Sequence, residues 1–144
     1  MKKLLTIIFL VIASIFLIIQ TRANAQADVW QTMLVDEREG VAHDLNLASI
    51  TPISNYEFFF IHRARLKTPA RMGNGVAFDT IVMASYGNCK TRQTKIVEDS
   101  ILLGETVVAR NRISPTDDLE KPDDATIHGM VLIGVCGQDP KFTI

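Results

Sequence analysis

In the stretch SYGNCKTRQTKI, Ser85 to Ile96, Cys89 is followed at once by Lys90, Arg92 and Lys95. Cations close to a thiol favour the thiolate, so the arrangement raises three chemistries for Cys89: nucleophile, metal ligand, or one half of a disulfide. A nucleophile needs a partner base as well. A structural zinc site usually wants four ligands in close pairs, whereas the chain has no CxxC and only one other cysteine, Cys136. The three histidines, His43, His62 and His128, fall in separate segments at no recognisable ligand spacing. Asp36, Glu37 and Glu39 cluster around a turn signal, where solvation accounts for them. No GxSxG, HExxH, phosphate-cradling glycine loop or calcium-loop spacing occurs, and Gly73–Asn74–Gly75 is too short for a nucleotide loop. Neighbours in sequence say nothing about pairing in space, so an enzyme with an unrecognised acid–base pair stays open.

The N-terminus leads us to expect a compartment for this chemistry. Lys2 and Lys3 precede an uncharged apolar run from Leu4 to Ile19, and Ala23 and Ala25 place small residues at the −3 and −1 positions of an export cleavage site. We expect residues 1–25 to be a signal peptide and residues 26–144 to form one domain of 119 residues. The alternative is a retained anchor helix. No later segment is long and apolar enough to span a membrane, and no cysteine ends the apolar run to carry a lipid. An exported chain, bound for periplasm, cell surface or medium, meets oxidising conditions, and a lone cysteine pair there favours a Cys89–Cys136 disulfide. Closing that loop is worth about 4 kcal/mol in the chain-entropy model, a useful staple for a domain of this size.

Loss of Lys2, Lys3 and Arg22 leaves 12 basic residues against 16 acidic ones, a balance of −4 that does not suggest nucleic acid. The charge is unevenly spread. Bases gather at His62, Arg63, Arg65, Lys67 and Arg71, and acids between Asp117 and Asp124. Arg63, Arg65, Lys67 and Arg71 are the candidate binding patch; a solvated strand face is the plainer account.

The elements that must position these residues read mainly as strands. Val29 to Ile50 gives two strands around a break at Asp36–Gly40, with Gly40 suited to a positive φ and Pro52 interrupting the pattern afterwards. From Asn55 to Lys67 the alternation is clearest: Tyr56, Phe58, Phe60, His62, Ala64 and Leu66 share one face, and Glu57, Phe59, Ile61, Arg63, Arg65 and Lys67 share the other. His62 on the apolar face reads as a core histidine. Thr68 to Gly75 reads as a loop, Val76 to Tyr86 as a strand, Lys90 to Glu98 as a polar strand with one solvent-facing side, and Gly104 to Ile113 as a last strand. The block ATIHGMVLIGVCG is ambiguous. Ile127, Met130, Val131 and Val135 keep helical spacing behind a cap at Asp123 or Asp124, while Gly129, Gly134 and the β-branched residues favour a strand.

In this order the features resemble the surface-adhesin protein E-like domains of Gram-negative bacteria. The resemblance lies in Val29–Trp30 opening the first strand, in DLNLASI from Asp44 to Ile50, in CKTR from Cys89 to Arg92, and in a closing segment with Cys136. It covers most of residues 26–144. It implies an α+β, mainly β fold: one antiparallel sheet of about six strands with a C-terminal helix packed on it and tied by the disulfide. It also implies a cell-envelope or surface location and, in members that act as adhesins, binding of host extracellular proteins. An exposed edge strand offers pairing with a partner chain or with a second copy as a homodimer. The function we expect is binding or interaction, without catalysis, cofactor or metal. The alternatives are a periplasmic enzyme or enzyme inhibitor, and a structural envelope protein.

Overall fold

The computed structural model describes residues 29–113 and 126–139. The expected signal peptide, residues 1–25, and the acidic stretch Asp117–Asp124 lie outside the described residues. Six strands follow in order: β1 (Trp30–Asp36), β2 (Val41–Pro52), β3 (Glu57–Arg71), β4 (Ala77–Asn88), β5 (Gln93–Leu103) and β6 (Thr106–Arg112). They form one antiparallel sheet in which each strand pairs with its neighbours in sequence, so the sheet is a simple meander. One helix, α1 (Ile127–Cys136), closes the described chain. Among the described residues, no helix is long and apolar enough to cross a membrane.

Local chemistry explains the turns. Asp36 accepts from the backbone N–H groups of Arg38 and Glu39 through Oδ1, and Gly40 takes a φ of 65° to bring the chain back into β2. Several boundaries differ from the sequence reading, among them the end of β5, which runs to Leu103 and not to Glu98. Thr68, Pro69, Ala70 and Arg71 belong to β3, because a register shift after Arg65 lets Ala70 pair with Phe78 and Arg71 with Ala77; a bulge keeps the ladder going where Pro69 cannot donate. Pro52 likewise remains in β2 as its last residue, opposite Phe58, after an irregularity between Asn46 and Thr51. Lys90 and Arg92 are in the β4–β5 turn and not in a strand. Asn88 caps that turn by accepting from the N–H groups of Lys90 and Thr91, and Arg92 adopts a φ of 55°.

The ambiguous C-terminal block is helical, and its glycines are the reason it packs. The cap is Thr126, whose hydroxyl accepts from the Gly129 N–H; it lies beyond both expected aspartates, Asp123 and Asp124. At Gly134 a side chain would run into the Met33 methyl group, and the next nearest atoms are Met33 Sδ and Leu45 Cδ2. Gly87 in β4 does the same on the sheet side, where a Cβ would meet Leu132 and Phe60. The helix therefore lies closer to β1, β2 and β4 than any larger residue at these two positions would permit. The interior comprises Leu45, Phe58, Phe60, Val131, Leu132 and Val135, with Met33, Leu47, Ile50 and Ile127 packed against it. The Cys89–Cys136 disulfide ties the end of β4 to the last residue of the helix across 47 positions of sequence.

The strand pairings define two faces. Leu45, Phe58, Phe60, His62, Met83 and Ser85 face the helix side. Asp44, Asn46, Ile61, Arg63, Val82 and Ala84 face the other. Among the described residues, α1 packs only on the first of these faces.

Candidate functional site

The face away from the helix carries the charged groups in an ordered arrangement. Register places Thr32, Asp44, Arg63, Val82, Ser100 and Arg110 in one row across all six strands. The adjacent row holds Trp30, Asn46, Ile61, Ala84, Glu98 and Arg112. A third, shorter row pairs Phe59 with Tyr86 and Tyr86 with Lys95, and the Phe59 and Tyr86 rings meet edge to face at 5.5 Å. The centre of the face is thus aliphatic and aromatic, with an arginine cluster to either side.

The first cluster is built around Asp44, which is 1% exposed even though no described element covers this face. Its Oδ1 accepts from Thr32 Oγ1 at 2.8 Å and Arg65 Nη2 at 3.0 Å, and its Oδ2 accepts from the Nε groups of Arg63 and Arg65. Four donors fill the lone-pair sites of a carboxylate. Burial pushes the Asp44 carboxyl up, but hydrogen bonds from Arg65, Arg63 and Thr32 outweigh it and hold the group far below the usual carboxylate range. The pairing raises Arg65 in turn. Arg63 also lies over the Trp30 ring, its Cζ 4.0 Å from the ring centroid, a cation–π contact.

The second cluster repeats the pattern on β5 and β6. Glu98 receives Arg110 at 3.4 Å and Arg112 at 3.2 Å, both through Nε, and Arg110 Nε also reaches Ser100 Oγ. This cluster is open to water, with Arg110 55% and Arg112 81% exposed.

The four sequence-selected cations therefore separate into different roles. Arg63 and Arg65 converge on Asp44. Lys67 lines a shallow groove of about 360 Å³ at the β1–β2 turn together with Val35, Asp36, Glu37 and Arg65. Arg71 donates from Nη1 to the Gly75 carbonyl and braces the β3–β4 hairpin. Trp30 and Asp44 enter the sequence reading only within the motifs of the resemblance, Glu98 only as the end of a strand, and Arg110 and Arg112 not by name; none of the five is read there as a site residue. The alternation in β3 put Arg63 and Arg65 on one face; only the β2–β3 register places Asp44 between them.

The histidines meet beneath the start of the helix. His62 is 2% exposed, its Nε2 lies 3.2 Å from Ser85 Oγ, and its ring centroid lies 5.9 Å from that of His128. Burial, then the neighbouring His128 and His43, lower His62 to about 3, so it is a neutral core histidine at physiological pH. Burial, then the adjacent His128, also lowers His43, against the opposing pull of Asp44 and Asp36. Among the described residues, no group of three or more His, Cys, Asp or Glu is arranged to hold a metal ion. The His62–Ser85 pair is sealed from solvent, with Ser85 1% exposed, so the serine hydroxyl is out of reach of a substrate.

No known protein family, curated protein or solved structure matches the chain.

Proposed function

We propose that this chain is an exported domain of the bacterial cell envelope or surface that works by binding, with the sheet face opposite α1 as the contact surface. The observation that carries the reading is that face itself: an aliphatic and aromatic centre formed by Ile61, Val82, Ala84, Phe59 and Tyr86, flanked by ordered arginines. Aromatic residues and arginine are the types enriched at protein contact surfaces. The polar groups on it are arranged to hold one another. Asp44 has no lone pair left to take a substrate proton, and the buried His62–Ser85 pair lies on the opposite face. The disulfide fits an oxidising compartment. The resemblance to surface-adhesin protein E-like domains supports the same reading and makes host extracellular proteins, or other envelope proteins, the first partners to try.

The test is solid-phase binding of the purified domain to a panel of serum and extracellular-matrix proteins, repeated with Tyr86→Asp. Tyr86 is 40% exposed, so the change leaves the interior intact. Saturable binding lost in Tyr86→Asp supports the reading. Binding indifferent to that change, or no retained protein, counts against it.

A further inference from the structure

The two arginine clusters have the same composition. Each sets two guanidinium groups against one carboxylate, Arg63 and Arg65 on Asp44, and Arg110 and Arg112 on Glu98, so each keeps one net positive charge. Among the described residues, the internal contacts use Nε of all four arginines and Nη2 of Arg65 alone, which leaves donors on every guanidinium for a further acceptor. Between the clusters lie Val82 and Ala84 of β4, partly exposed and without charge. Arg63 on β3 and Arg110 on β6 occupy the same row and are separated by three strand spacings, about 14 Å.

We propose that this face receives an acidic protein segment that carries two carboxylates about 14 Å apart with apolar side chains between them. In an extended chain that spacing corresponds to about four residues. Carboxylates suit guanidinium forks, and the aliphatic stretch of Ile61, Val82 and Ala84 is matched better by apolar side chains than by the hydroxyl-rich surface of a polysaccharide. A second copy of this chain fits less well. Face-to-face packing would set one net-positive cluster against another, and like charges in contact suppress association. The inference rests on the binding reading above and adds the chemistry of the partner.

The probe is a fluorescein-labelled peptide, Ser-Gly-Glu-Tyr-Val-Leu-Glu-Gly-Ser, titrated by fluorescence anisotropy against the full domain with its disulfide intact. Three controls accompany it: the same peptide with both Glu replaced by Lys, the same peptide with Tyr-Val-Leu replaced by Ser-Ser-Ser, and a sulfated polysaccharide competitor. The variants are Arg110→Glu with Arg112→Glu, and Tyr86→Ser. These positions are exposed, and their melting temperatures are checked against the parent. We expect saturable binding that weakens as salt is raised from 50 to 300 mM, by about tenfold or more in the double arginine variant. Binding should be weaker still for both control peptides. The inference is overturned if the acidic peptide fails to bind at 1 mM, if the Lys or Ser peptide binds as well, or if the double variant binds unchanged. It is also overturned if the polysaccharide binds more tightly and Tyr86→Ser leaves that unaffected, or if the domain dimerises through this face. A protein retained from the matrix panel by a Tyr86-dependent contact, but indifferent to Arg110→Glu and Arg112→Glu, would overturn the acidic-segment inference while leaving the binding reading in place.

Discussion

Lowering the pH from 7.5 to 5.0 should destabilise the domain through His62. In the unfolded chain this histidine takes up its proton near pH 6.5; in the folded protein, burial and the nearby His128 and His43 lower it to about 3. Between those values the unfolded state binds more protons, so stability falls as the pH falls. At pH 5.0 the unfolded side chain is protonated and the folded one is not. The gap of about 1.5 pH units then corresponds to about 2 kcal/mol lost, at roughly 1.4 kcal/mol per unit. His43 is lowered as well and adds in the same direction. Asp44 does not contribute in this window, because its stabilisation is present above the ordinary aspartate range and is lost only as the pH falls below about 4. The assay is urea unfolding at both pH values, followed by the fluorescence of Trp30, the single tryptophan, for the parent and for His62→Gln. Glutamine keeps a polar group near Ser85 but takes up no proton. The variant should lose about 2 kcal/mol less than the parent between the two pH values. Equal losses in the two proteins would refute the account of His62 as a neutral core residue.

Three further outcomes follow from the packing and the clamp. Cys89→Ser with Cys136→Ser should lower stability by about 4 kcal/mol in chemical denaturation, since the crosslink spans 47 positions; a loss well under 1 kcal/mol would contradict the staple. Gly87→Val should cost about 1–3 kcal/mol by driving a side chain into Leu132 and Phe60, whereas the same change at exposed Gly73, where a Cβ meets nothing within 4 Å, should leave the melting temperature nearly unchanged. Removing both Arg63 and Arg65 as alanine leaves the Asp44 carboxylate buried with Thr32 alone; we expect a loss of about 3 kcal/mol at pH 7 that shrinks as the pH is lowered toward 4 and Asp44 is neutralised.

Sequence exposed the parts of this fold that depend on local rules. The period-two alternation of β3 put Phe58, Phe60 and His62 on the core face, and Gly40 marked its turn, because strand faces and positive-φ turns are properties of a few neighbouring residues. What remained hidden depends on distant partners. Gly134 counts against a helix by propensity, yet it permits the helix to approach Met33 and Leu45, and that preference is visible only once the sheet is in place. Arg63 and Arg65 read as a cationic patch because Asp44 is some twenty positions away in sequence and reaches them only through the β2–β3 register. The second cluster, Glu98 with Arg110 and Arg112, is hidden for the same reason, its members lying on two strands across a turn. Pro69 reads as a loop residue in the sequence because a bulge that accommodates proline leaves no local signature.

The central claim, that the sheet face opposite α1 is the contact surface, is tested most directly by chemical-shift mapping of the isotope-labelled domain titrated with the acidic peptide. The account predicts that the Trp30 indole N–H, the Nε–H groups of Arg63, Arg65, Arg110 and Arg112, and the amides around Ile61, Val82 and Ala84 shift together and saturate at one affinity. Shifts confined to α1, to Leu45 and Phe60 on the opposite face, or to the outer edge of β1 would contradict it.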